Sequence, residues 1–589
     1  MSKKSLVIIL LLQVAAAVGF EIDKERAAAF AAKLPPCSWL FPSVVFFLLL
    51  AVPFYLSVLL LRKVHNSDRR LVPSVGFILF AEALVVFLVV AALHANACVN
   101  TIIDGETERF STMGSWSFVS AWSPFFAWFA AAFTCLQIVV PGRYITALAR
   151  RVSKIPSAIL EREGLWLLFL LLTAFGVRFL WVIYSGTLPV SDCKAFNDLA
   201  LRLVAGKGYL SDEGMPTAYR PVGYPLFLAA VYTVFGIHLL VAKIANAVAG
   251  AALAVFTYLL GKKAFSKDKA RLGALIVALL PGQILYSSLL ASETLFCVCS
   301  AAAILVVLVS LNKRRWYIGF CAAGALIGYA SLVRGPALLL LPFLYLYVLI
   351  SIGLNRQSLA RLGLLTVCAF AVMLPWALRN ARVLGKPVFL TTNSGVNFWV
   401  GNNERAQGTY MDIPDDSPVA RAQARGEVAA SDAGYSAGFK FIRENPRRFL
   451  LLAAFKTYYL YAKDTTTAVD WNYVDAARRR TEEERCVVAY LTQGAYLLLC
   501  LFAAIGIFMV RRNNLLQILL VVAVLGWTSF HILFFGLDRF HVPLQPIFAL
   551  FAASAFLGIL YRGCSTTLCP EKQETGRVEN FSRGNPRCW

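Results

Sequence analysis

The chain has 589 residues, is 59% hydrophobic and only 15% charged, and has a mean hydropathy of +0.67. A soluble domain needs far more polar surface, so the composition excludes one and points to an all-α polytopic membrane protein. The formal net charge of +23 suggests nucleic acid, but the lysines and arginines cluster in short loops between apolar runs, so no nucleic-acid partner is expected.

Apolar runs of about 20 residues, each able to cross a hydrocarbon core of roughly 30 Å, recur along the chain. In order they are 5–20, 38–61, 73–95, 118–140, 164–184, 237–260, 273–291, 294–311, 316–333, 336–352, 361–378, 488–510, 515–536 and 541–561, a bundle of about 13–14 transmembrane helices. The first run follows the basic start MSKKS and could instead be a cleaved signal peptide. Arg62, Lys63, Arg69 and Arg70 make one basic loop, and Arg143, Arg150, Arg151 and Lys154 the next. Lys262, Lys263, Lys267, Lys269 and Arg271 follow, then Lys313-Arg314-Arg315, Arg356 with Arg361, and Arg511-Arg512. Every second loop is basic, which places these loops in the cytoplasm. Counting FLLLAAFKTYYLYA (449–462) as a span would reverse every later loop, so it is expected to lie at the interface or on the outer face. YPLFLAAVYTVFG (224–236) is expected to run along the membrane surface in the same way.

On this map the unusual polar residues fall on the outer face. The stretch SDCKAFNDLALRLVAGKGYLSDEGMPTAYRPVGYP, between two spans, carries Asp192, Asp198, Asp212, Glu213 and Arg220. Glu293 and Arg334 sit at tight outer turns, Arg379 and Asn380 open a long outer segment, and Asp538, Arg539 and His541 close the last turn. Solubilising residues would scatter over both faces, so the convergence points to one extracytoplasmic site at membrane level. Arginine's planar fork suits phosphate, and a carboxylate suits general-base work. Together they fit a sugar linked by phosphate to a polyprenyl lipid, attacked by an acceptor hydroxyl while the arginines stabilise the departing phosphate. Tyr209, Tyr219, Tyr224, Phe398, Trp399, Tyr410 and Trp471 could stack on sugar rings or form an interfacial aromatic belt.

Residues 164–560 resemble glycosyltransferases of the C superfold (GT-C). The resemblance is to the branch holding the protein O-mannosyltransferases, the lipid A aminoarabinose transferases and the rhizobial core galacturonosyl transferases. The motifs are SDCKAFNDLALRL, the GKGY turn, TAYRPVGYPLFLAAVYTVFG, ASETLF, RGPALLLLP, PWALRN, NSGVNFWVGNN and DRFHVPLQPIFALFAA, in the family's order. The resemblance implies a GT-C-type bundle and a membrane glycosyltransferase, inverting and dependent on a polyprenyl-phosphate sugar. Its acceptor would be a glycolipid, lipid A or core, or a protein hydroxyl, at the outer face of the inner membrane. It implies Asp192 as catalytic base or as the carboxylate that orients the acceptor, with Glu293 as the acid of the second outer turn. Relatives often have Asp-Glu at the first position; here Cys193 replaces the Glu, whose part falls to Asp198 if any residue takes it. Arg220 matches the basic residue that holds the lipid phosphate. Tyr219, Arg334, Arg379, Arg539 and Asn402 are further candidate phosphate or sugar ligands.

Plainer readings stand beside these. Asp192 could cap the helix that follows, Asp198 could be a solvated helix residue, and Arg220 could face lipid headgroups. Arg334 could snorkel, and His541 could be structural. Glu82 and Lys243 lie inside spans without an evident reason. Of thirteen cysteines none forms a CxxC or a metal-ligand spacing; Cys37, Cys98, Cys193 and Cys486 could form one or two disulfides on an oxidising side. No metal ligand set is assigned, although a carboxylate pair could hold a divalent ion. The expected organisation is a transmembrane module of unreadable role (1–150), a transferase core with an outer catalytic loop at 185–236 (151–378), a mixed outer segment (379–487), the last helices (488–561) and a cytoplasmic tail (562–589). A transporter or flippase of lipid-linked sugars, or a non-catalytic membrane protein of the same fold, is the alternative. Transporters, however, place charges near mid-membrane and often show repeated halves, and neither feature is seen here.

Overall fold

The structure, a computed structural model, describes residues 162–474, 481–510 and 514–565. The expected N-terminal module with its four spans and Glu82, the Arg511-Arg512 loop and the polar tail beyond Ser565 lie outside the described residues; residues 562–565 of the expected tail continue the last helix. Within them the chain is helical, without a strand; Leu210 and Pro216 make one isolated bridge. In chain order the helices are α1 (Glu163–Ser185), α2 (Ser191–Val204), α3 (Gly223–Phe235), α4 (Leu239–Ala264), α5 (Lys267–Leu279), α6 (Pro281–Leu285), α7 (Glu293–Ser310), α8 (Trp316–Val333) and α9 (Leu340–Ile352). They continue as α10 (Arg356–Leu384), α11 (Asn393–Val400), α12 (Pro418–Gln423), α13 (Glu427–Glu444), α14 (Pro446–Tyr461), α15 (Glu482–Phe508), α16 (Leu515–Leu533) and α17 (Gln545–Ser565). Among the described residues nine helices are long and apolar enough to cross a membrane, or ten if one bent pair counts as a span. α3, with 13 residues, and α14, with 16, fall short of that length.

The span expected at 273–291 falls on the bent pair. α5 and the helix Pro281–Ser288 meet at 52°. Pro281 supplies the break: it has no N–H to continue the ladder and its fixed φ starts a new helix. The last carbonyls of α5 then lack intrahelical donors, which is costly away from water. Arg178, in the middle of α1 and fully buried, donates from Nη1 to Ala278 O (2.8 Å) and from Nη2 to Val277 O (3.0 Å). Gly250 of α4 makes room for it, since a Cβ there would lie 2.5 Å from Arg178 Nε. Lys243 also finds a reason: its ammonium, 5% exposed, donates to the Thr187 hydroxyl at 2.9 Å and to the same residue's carbonyl.

Two ends of the bundle can be told apart. At one, Lys262 pairs with Glu163, Asn514 Nδ2 donates to Ala264 O, and Arg361 donates to Leu311 O while lying over Trp316. Three of the expected basic loops collect there. The connections that begin or end at Asp192, Arg220, Glu293, Arg334, Arg379 and Arg539 collect at the other end. An apolar groove of about 360 Å³ lies between α1 and α4, lined by Leu167, Leu171, Ala252, Val255 and Phe256.

Candidate active site

The site begins with a strained residue. Ser191 has φ 48°, the one positive φ outside glycine among the described residues. A β-carbon in this region costs of order 1–3 kcal/mol and persists only where the surroundings impose it. It turns the chain into α2, so that Asp192 falls in the first helical turn. The N-cap is Val190, and no side chain caps the helix, so Asp192 does not serve as a cap. Its Oδ2 instead accepts from Arg539 Nη1 at 2.6 Å, and its Oδ1 accepts from Arg220 Nη1. Burial would raise the Asp192 carboxyl, but the guanidinium groups of Arg539 and Arg220 outweigh it and hold it at about 2.

Each arginine arrives from a different element. Arg220 lies on the turn before α3, which Gly223 seats against the end of α8: a Cβ on Gly223 would lie 2.6 Å from the backbone at Leu332 and Val333. The Tyr209 hydroxyl donates to the carbonyl of Arg220 at 3.0 Å. Arg334 follows directly after α8, where its Nη1 donates to Glu293 Oε1 at 2.5 Å and to Ser292 Oγ at 3.3 Å. Arg539 opens the 3₁₀ turn Asp538–Leu544. Its register is held by Asp538, whose carboxylate accepts from Thr467 N, Thr467 Oγ1 and the Arg539 backbone at 2.8–2.9 Å. The Phe540 ring lies 5.4 Å from both the Arg334 and Arg539 guanidinium groups, and the Trp471 ring lies 5.5 Å from Arg539. Arg539 thus links two acid–arginine pairs, Asp192–Arg220 and Glu293–Arg334, and feels the charge of both acids. The two acids are not equivalent: Asp192 is 21% exposed and Glu293, paired with Arg334, only 2%, so only the first can be reached from outside.

The other candidates are placed differently. Tyr219 packs beside the cluster with Trp399, Phe535 and Phe540, and burial pushes its hydroxyl pKa up. Asp198 faces outward and pairs with Lys194 at 3.1 Å. Arg379 stacks on Trp376 and donates to the carbonyls of Thr217 and Tyr209, both at 2.7 Å, so it shapes the 209–220 loop rather than joining the acids. Asn402, fully buried, bridges Phe398 O and Leu533 O with Nδ2 and accepts from Lys456 Nζ at 2.8 Å. Lys456 is 1% exposed, and burial lowers its ammonium pKa to about 7. Cys193, in the place of the relatives' second acid, is a buried thiol whose pKa burial pushes up. His541 is buried between Leu460 O and Asp464.

Sequence reasoning missed Glu427, the first residue of α13. Its carboxylate accepts from Thr217 Oγ1 at 2.7 Å and from Ala218 N at 2.6 Å. It grips the loop just before Tyr219 and Arg220, opposite Arg379. Nothing in ARGEVAA marks it, because the partner lies 210 residues away. Phe540, which contacts both the Arg334 and the Arg539 guanidinium groups, is likewise not singled out by the sequence reading. For a divalent ion the donor set does not fit: Asp192 and Glu293 face guanidinium groups, Asp198 faces Lys194, and among the described residues no three His, Cys, Asp or Glu converge on one point.

Residues 219–377 match the family model described as dolichyl-phosphate-mannose-protein mannosyltransferase. Over this region the chain is similar to that family. It is 25% identical over 220 residues to undecaprenyl phosphate-α-4-amino-4-deoxy-L-arabinose arabinosyl transferase 2 of Pseudomonas fluorescens, covering 36% of this chain and 38% of that one. It is 28% identical over 226 residues to the corresponding transferase of Pseudomonas paraeruginosa, covering 37% and 41%. The match thus spans about two fifths of these curated relatives. Among solved structures, the Archaeoglobus fulgidus oligosaccharyltransferase aligns with a TM-score of 0.42 at 17% identity, over 70% of this chain and 53% of that one. ArnT from Cupriavidus metallidurans bound to undecaprenyl phosphate aligns at 0.35 and 13%, over 69% and 79%.

Proposed function

We propose that the protein transfers a sugar from a polyprenyl-phosphate donor to an acceptor hydroxyl, with Asp192 as base and Arg220 and Arg539 on the phosphate. The observation that supports this most directly is the shared clamp: one accessible carboxylate between two arginines, one 28 residues after it in the chain and the other 347. The acceptor oxygen attacks the sugar's anomeric carbon while Asp192 takes its proton. The carbon–oxygen bond to phosphate breaks, and the polyprenyl phosphate leaves with one more negative charge. Negative charge lost at Asp192 therefore appears on the phosphate, and arginines placed between the two stabilise it as it moves. Direct attack by a deprotonated acceptor inverts the anomeric centre. Glu293 keeps Arg334 and Arg539 oriented, and Tyr219 with Tyr410 borders the cluster where a sugar would enter.

The gathering of basic loops at the far end supports a site on the extracytoplasmic side of the inner membrane, with the 379–487 segment next to the acceptor. The relatives' names supply the donor class; the acceptor stays within the set of glycolipid, lipid A or core, and protein hydroxyl. Membranes carrying the protein should move labelled sugar from a polyprenyl-phosphate donor, and Asp192→Asn, Glu293→Gln and Arg220→Ala should each abolish most of that transfer. Comparing surface glycolipids by mass in cells with and without the gene would identify the acceptor. A protein that moves intact lipid-linked sugar across vesicles and keeps doing so as Asp192→Asn would be a transporter instead.

A further inference from the structure

The clamp leaves its base already occupied. Both Asp192 oxygens accept from arginine, and the arginines assigned to phosphate already face an anion. Each guanidinium nevertheless has donors left over. Among the described residues neither the Arg220 nor the Arg539 side chain hydrogen-bonds anything except Asp192, and the Nε–H of Arg539 is buried with no acceptor. A guanidinium offers paired N–H groups at the spacing of two phosphate oxygens, so an unused Nε–H beside the cluster suits an incoming oxyanion.

We propose that Asp192 holds the phosphate's place: the donor phosphate binds by exchange, drawing Arg539 and Arg220 off the carboxylate and freeing the base only once the donor is seated. This rests on the transferase reading above and adds an order to it, donor before acceptor. Among the described residues the Asp192 carboxylate forms ion pairs with Arg220 and Arg539 alone. Around it stand Cys193 on its own helix, Tyr219 and Arg220 on the turn before α3, Tyr410 from the outer segment, and Arg539 on the last turn, with Glu293 and Arg334 beyond. The rings of Trp471 and Phe540 keep the Arg539 guanidinium at the cluster when the carboxylate lets go. A chain with no donor thereby avoids presenting a free base and a free cation pair to water.

The exchange predicts a sign that a purely supporting aspartate does not. If Asp192 competes with phosphate, removing its charge tightens binding even as it stops transfer; if it only props the arginines in place, removing it weakens binding. The full chain in detergent micelles is titrated with a long-chain polyprenyl phosphate, with the matching polyprenol as control. Asp192→Asn, and Asp192→Ser should the first fold poorly, is expected to bind the phosphate about tenfold more tightly than the wild type, within the usual range of coupling between ligands. The polyprenol should bind both alike, and Arg539→Lys should weaken the phosphate complex. Equal or weaker phosphate binding by both Asp192 variants, or equal tightening for the polyprenol, overturns the exchange and leaves the transferase reading standing. Failure of the wild type and every variant to bind polyprenyl phosphate overturns the transferase reading and the exchange with it.

Discussion

The turn Asp538–Leu544 meets two carboxylates and holds them in opposite ways. Arg539 reaches Asp192, which is a fifth exposed, faces two cations and is held at a pKa of about 2. Two residues on, His541 Nε2 lies 3.0 Å from Asp464 Oδ1, while its Nδ1–H donates to Leu460 O at 2.7 Å. Asp464 is 2% exposed, its second oxygen is buried with no partner among the described residues, and burial pushes its pKa up despite His541 and Gln545. Gln545 continues the network to Gln283 at 2.7 Å, and Tyr496 stacks on the imidazole at 4.4 Å. One carboxylate has an excess of positive charge and a path to solvent, so it can change partners. The other is a joint between helices, where movement would expose unpaired polar groups.

The sharpest way to break this contrast is to remove each acid in turn. Asp192→Asn should lower transfer by roughly a thousandfold, about 4 kcal/mol of barrier, while costing the fold no more than the roughly 2 kcal/mol its charge contributes. A variant with near wild-type turnover would strip Asp192 of its role as base. Asp464→Ala should do the reverse, costing about 3 kcal/mol of stability through the broken buried pair while the folded fraction keeps its turnover. Activity that collapses in fully folded Asp464→Ala would move the joint into the reaction.

Acid sharpens the contrast, because the two pKa shifts have opposite signs. The folded Asp192 carboxyl lies below its unfolded value near 3.8, so its contribution, up to about 2 kcal/mol, is present above pH ~4 and lost as pH falls toward 2. Asp464 lies above its unfolded value, so its protonated form favours the fold, and that advantage fades as pH rises through the folded pKa. Unfolding temperature measured against pH should lose its acid limb in Asp192→Asn and flatten above pH ~4 in Asp464→Asn. Curves that match the wild type in both variants would refute the assignment. The smallest effect is expected at Glu427, where Gln keeps the shape but loses the charge that grips Thr217 and Ala218. The KM for donor should rise roughly fivefold, near 1 kcal/mol, with kcat nearly unchanged. A fall in kcat alone would place Glu427 elsewhere in the cycle.

Much of the bundle was legible because lipid leaves few options: an apolar run of the right length becomes a span, and 316–333 coincides with α8 residue for residue. The failures lie where apolar residues hide a polar contact. Hydropathy alone could not break 273–291 at Pro281, and Arg178 was lost inside LTAFGVRFLW. At the site, loop parity was enough to send Asp192, Arg220, Glu293, Arg334 and Arg539 to a common end, and the structure brings these five together. It could not distinguish an arginine facing an acid from one facing carbonyls, which is why Arg379 and Asn402 were grouped with them. That distinction depends on where Tyr209, Thr217 and Leu533 present their backbone oxygens, and only the folded chain determines this.

Arg178 also bears on how the chain is made. Its carbonyl acceptors at Val277 and Ala278 are synthesised about a hundred residues after it. A lone arginine at the centre of an inserting helix is disfavoured by about 2.5–3.5 kcal/mol, so α1 should leave the translocon late, or linger beside it, until α5 emerges. The earliest described helix of this protein would then be among the last to settle.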